Sequence, residues 1–147
     1  MRHVIANILL ASVVCISFQA NAQTLTTPAD ARKVADGFMS RIGSGNFEEA
    51  FKQVKPHMAL PAAEFDAKAA EATSQFAGVP ERFGAYKGFE LVRQETAGQS
   101  LMRFTYVAKY EKAPMRWRFI FYKSDKGWVI TDFHVDANRN ALFSGEG

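Results

Sequence analysis

From Phe89 to Asp136 the apolar residues recur at every second position, which confines that half of the chain to β-structure with one buried face and one wet face. Residues 89–96 read as a first strand that reaches a turn at Ala97-Gly98. Residues 100–110 align Met102, Phe104, Tyr106, Ala108 and Tyr110 on one face, with Arg103, Thr105 and Lys109 on the other. After Pro114, residues 115–123 send Met115, Trp117, Phe119 and Phe121 inward and Arg116 and Arg118 outward. Ser124-Asp125-Lys126-Gly127 has turn chemistry, with a glycine free to take positive φ, so residues 128–136 pair antiparallel with the strand before them.

Ahead of these strands the period is helical. Thr27 caps a helix with Pro28 and Asp30 in its first turn and an apolar stripe of Ala31, Val34, Ala35, Phe38 and Ile42, closed by Gly43-Ser44-Gly45. Asn46 and Glu49 have capping-box spacing, and Phe47, Ala50, Phe51 and Val54 form a second short stripe that Pro56 stops. Pro61 opens a third helix with Phe65, Ala69, Ala72 and Phe76 on one side, and Gly78 and Pro80 close it. Helices followed by consecutive antiparallel strands predict an α+β fold: three N-terminal helices packed on a curved antiparallel four-stranded sheet.

Three stretches carry a family resemblance. Gly45-Asn46-Phe47-Glu48-Glu49-Ala50-Phe51 resembles the entry to helix two of the nuclear transport factor two-like superfamily, also called cystatin-like α+β. Tyr86-Lys87-Gly88-Phe89 sits before the first long strand, and Gly127-Trp128-Val129-Ile130-Thr131-Asp132-Phe133 looks like the closing strand. The chain is most similar to uncharacterised exported members. The resemblance implies a cone of helices wrapped by a bent sheet. Superfamily members range from ketosteroid isomerases, dehydratases and polyketide cyclases to non-enzymatic binding and dimerisation modules, so fold cannot select an activity.

The first 22 residues read as a cleavable secretory signal: Arg2 and His3, an apolar run from Val4 to Phe18, then Ala20-Asn21-Ala22 as a small-x-small cut site. Cleavage after Ala22 leaves Gln23 leading a single domain, 23–147, of 125 residues. The one cysteine, Cys15, lies inside the signal; Ser12-Val13-Val14 ahead of it does not resemble a lipobox, because Val14 is too bulky for the cut position. The mature chain therefore has no thiol for a disulfide, a thiolate metal site or a nucleophile. It is expected in the periplasm or secreted, with no membrane span after processing. The order of the tail 137–147 is not legible in the sequence.

Removing Arg2 takes the formal charge from +3 to +2, with acids and bases interspersed, so nothing favours nucleic acid as a partner. Asp132, His134 and Asp136 alternate along the last strand as a carboxylate-imidazole-carboxylate row able to exchange a proton near neutral pH, with Asp132 and His134 as catalytic candidates. The opposite face carries Val129, Thr131, Phe133 and Val135, so the pattern turns the row toward solvent. Trp128 and Ile130 share the row's face, however, and a bulge would swap the faces partway along.

Phe104, Tyr106, Trp117, Phe119 and Phe121 are expected to line either a ligand pocket or a filled core. Arg103, Arg116, Arg118 and Tyr122 offer a surface for a homodimer, the arginines pairing with partner carboxylates. His57 sits in a loop near the expected cone mouth, and Asp36 reads as a solvated charge. No phosphate loop, serine elbow, zinc-ligand pair or dinucleotide fingerprint is present, and neither a metal nor a cofactor is expected. The residues favour a non-catalytic module for a small apolar molecule or a protein partner. A cofactor-free isomerase or lyase of ketosteroid-isomerase type and a homodimeric scaffold are the alternatives.

Overall fold

The first helix starts where its sequence lets backbone amides be satisfied. Thr27 accepts from the Asp30 amide at 3.1 Å, and Asp30 in turn accepts from the Thr27 amide, a reciprocal box that opens α1, Pro28–Gly43. A computed structural model describes residues 22–143 of the chain; the expected signal, apart from Ala22, and residues 144–147 lie outside the described residues. α2 spans Phe47–Val54 and α3 spans Ala62–Phe76. Asn46 caps α2 through the Glu49 amide, while the Glu49 side chain turns to Lys52, so only half of the expected box forms. Pro80 does not simply close the third helix: it lies in the first turn of a further short helix, α4, Val79–Phe83, where a missing N–H costs nothing.

The strands run in simple meander order: β1 Tyr86–Ala97, β2 Leu101–Tyr110, β3 Pro114–Ser124 and β4 Gly127–Asp136, each antiparallel to the next. β1 begins three residues earlier than its alternation suggested, and the register shifts between Tyr86 and Gly88 before the regular pairing starts. The β3–β4 turn needs its glycine twice over. Gly127 has φ +137°, and a side chain there would meet the Leu25 carbonyl oxygen at 2.7 Å.

That close approach matters because Leu25 bridges Trp128 antiparallel and Met58 bridges Ile130 in parallel. Together they satisfy part of the free edge of β4.

The helices pack on the concave face of the sheet, and the contact is mostly aromatic. Phe38 of α1 is fully buried, with its ring centroid 5.0 Å from Trp117, 5.2 Å from Phe119 and 5.2 Å from Phe51, each edge to face. Phe76 of α3 stacks on Trp117 at 4.9 Å, and Phe65 and Phe51 both reach Phe133 of β4. One ring on α1 thus joins two helices to the central strand β3. Phe38→Ala should lower unfolding free energy by about 3–5 kcal/mol, measured by denaturant titration, because several rings lose a shared neighbour at once.

Candidate functional site

The last strand decides which residues can do chemistry. Asp136, His134 and Asp132 pair with Arg116, Arg118 and Ile120, all on the outer face, while Val135 and Phe133 pair with Trp117 and Phe119 on the inner face. The register then slips, so that Ile130 opposes Phe121 and Thr131 is left in a bulge, its hydroxyl donating to the Ile120 carbonyl at 3.2 Å. Ile130 and Trp128 thereby turn inward and join the core. One extra residue lets a single strand bury apolar side chains from both of its alternating sets.

Asp132 and His134 therefore face away from the aromatic interior, 46% and 56% exposed. Asp132 meets Lys68 of α3 at 3.2 Å, and His134 Nε2 lies 3.3 Å from Asp136. Asp136 is more enclosed. Its burial alone would raise the carboxyl pKa, but hydrogen bonds from the Arg116 guanidinium and the Asn138 amide hold it below the usual aspartate range.

The arginine surface is paired within the chain: Arg103 grips Glu95 at 2.9 and 3.0 Å, and Arg116, only 6% exposed, grips Asp136 with its closest contact at 2.7 Å. Of the surface set, Arg118 lacks such a two-point pair, and Tyr122 is exposed beside Leu101. After Asp136 the chain leaves β4, turns through Asn140–Leu142, and at Leu142 accepts from Arg93 of β1 at 2.9 Å. This strap runs from one edge strand to the other, about 14 Å at ordinary strand spacing. Thr105, Val107 and Arg116 are buried on a face that the alternation assigns to water.

Phe104, Tyr106, Trp117, Phe119 and Phe121 are at most 1% exposed and pack ring against ring. Asp36 is not merely solvated: it accepts from the Tyr106 hydroxyl at 2.7 Å and from Arg32 Nε at 2.8 Å, and the Arg32 guanidinium lies 5.9 Å from the Tyr106 ring centre. Burial, and then the hydrogen bond to Asp36, push the Tyr106 hydroxyl far upward, so it stays a neutral donor. No spacing rule links positions 36 and 106, which only the α1–β2 packing brings together. His57 lies in the turn Lys55–His57 between α2 and α3, with Nδ1 2.8 Å from the Gln23 carbonyl oxygen, to which it donates.

The described residues leave an open groove of about 640 Å³ between α2 and α3. Phe51, Phe65, Ala69 and Ala70 supply its apolar surface, with Lys52 and Asp66 among its polar lining. Asp66 is held by Lys55 at 2.7 Å, which ties the third helix to the turn after α2. The alanines expected to pack against a flat surface divide their work: Ala72 enters the core and Ala70 faces solvent beside the groove. Among the described residues no group of three or more histidines, cysteines or acids is placed to hold a metal, and no helix is long and apolar enough to cross a membrane.

The fold is NTF2-like. It is similar to that of a solved protein from Campylobacter jejuni described as a candidate NTF2-like transpeptidase, with TM-score 0.50 and 14% identity, over 69% of this chain and 97% of that one. A DUF4783 family protein from Bacteroides uniformis aligns with TM-score 0.47 and 12% identity, over 70% of this chain and 95% of that one. At such identities the likeness concerns fold alone. No family model and no curated protein matches the sequence.

The Asp136–Arg116 pair yields a signed test. A folded-state carboxyl pKa below the unfolded value, near 3.8, stabilises the fold above that pH and stops doing so as pH falls through the lowered value. Asp136→Asn should cost about 2–3 kcal/mol at neutral pH, because Arg116 remains buried without its counter-charge, and the loss should shrink in acid. Urea midpoints compared at pH 7 and pH 3 measure both effects.

Proposed function

We propose that the chain is an exported, non-catalytic module that binds a small apolar molecule in the groove between α2 and α3. The observation that carries this reading is the contrast between a sheet interior filled by stacked rings and a groove of about 640 Å³ with an aromatic and alanine lining. Ligand sites commonly measure about 300–1,000 Å³ and are lined mostly by apolar side chains with a few polar groups. The interior aromatics then support the ligand site from behind: Phe51 and Phe65 touch both the groove and Phe133. A non-catalytic role is supported by the half-exposed positions of Asp132 and His134.

Ala70→Trp, at an exposed position beside the groove, should leave the fold unchanged and remove most of the fluorescence that the wild type induces in the neutral probe phenylnaphthylamine. Equal fluorescence from both proteins would refute the groove as the site.

Export belongs to the same reading, with 1–22 as the cleaved signal and 23–147 as one periplasmic or secreted domain. It is supported by the basic head, apolar run and Ala20-Asn21-Ala22, and by Gln23, whose amide donates to the Pro56 carbonyl at 2.6 Å right after the proposed cut. N-terminal sequencing of protein recovered outside the cytoplasm should begin at Gln23. A start at Met1 or at Cys15 would refute it.

A further inference from the structure

On the outer face of the sheet each carboxylate beside the central arginines already has a donor. Glu95 takes Arg103, Asp136 takes Arg116, and Asp132 takes Lys68. Arg118 reaches only Asp136 Oδ2, at 3.6 Å, an oxygen that Arg116 already holds at 2.7 Å. The Arg118 Nε is buried and has no hydrogen-bond partner among the described residues.

A guanidinium in this position is costly. The side chain is only 20% exposed, and burial first, then the like charge of Arg116, pulls its pKa below the usual arginine value. Desolvating a cation without a matched counter-ion destabilises a fold, and replacing such a group with an apolar one of similar size often raises stability. Within the described residues, Arg118 has only a counter-ion that Arg116 already holds, and such an imperfectly matched buried charge calls for an explanation.

Beside it lies a cavity of about 170 Å³ lined by Arg118, Ile120, Asp132, Phe133 and His134. Two of these, Ile120 and Phe133, are apolar. His134, in register with Arg118 on the neighbouring strand, stands at the rim with its Nε2 3.3 Å from Asp136. Asp132 would repel an anion, but Lys68 offsets its charge.

The geometry points to Arg118 as the anchor of a binding site for a small carboxylate, which the guanidinium grips while Ile120, on the same outer face, receives the ligand's apolar body. This site is separate from the α2–α3 groove, on the opposite side of the sheet's inner face, and selects charge where the groove selects hydrophobicity. Arginine suits it better than lysine because its planar fork matches the two oxygens of a carboxylate.

The test uses the nitrogen-15-labelled chain, with benzoate as probe and neutral benzamide as its uncharged control. Benzoate should shift the Arg118 Nε–H and His134 ring signals saturably, and benzamide should not. Arg118→Met should abolish the response and raise the thermal midpoint, and Arg118→Lys should weaken binding by about tenfold, since a point charge replaces the fork. Equal shifts from benzamide, no saturation with benzoate, or an Arg118→Met variant that still binds would each overturn the assignment. A marked loss of stability in that variant would overturn it too, because Arg118 would then be structural.

Discussion

The edge-to-face packing of Phe38 against Trp117 and Phe119 is the contact on which the other features depend. It holds α1 to the middle of the sheet, and through Phe51 it holds α2 to the same point. Aromatic rings suit this task because each removes a large apolar area from water and orients its neighbours through the ring quadrupole. The packing has a cost. The Trp117 indole N–H is buried with no partner among the described residues, so close stacking on Phe76 prevails over satisfying one donor.

A filled interior moves any binding function to the periphery. The rings leave the concave face of the sheet closed, and the larger open volume lies where α2, only eight residues long, runs beside α3. There the inner ends of Phe51 and Phe65 belong to the core and their outer edges to the groove. The core and the groove thus draw on the same two side chains.

The convex face follows electrostatic rules instead. Arg103 and Arg116 are paired within the chain, and a strap after Asp136 is tied to Arg93 of β1 at Leu142. Such paired surface charges stabilise only modestly. Arg118 departs from that pattern, with a buried nitrogen and a shared counter-ion.

Periodicity alone determined the α+β class, the meander of four strands, the caps at Thr27 and Asn46, and the inward row Met102, Phe104, Tyr106 and Ala108, because local propensity and the spacing of apolar residues act within a few positions of each other. Even the bulge in β4 was legible as an ambiguity, since Phe133 and Ile130 cannot face one side of a regular strand; its place at Thr131 was not. What only the tertiary structure decided were long-range encounters: Asp36 with Tyr106, His57 with Gln23, Arg116 with Asp136, and the strap over the outer face. Sequence patterns carry which face is apolar, but a hydrogen bond between residues 70 apart depends on where packed helices and strands come to rest.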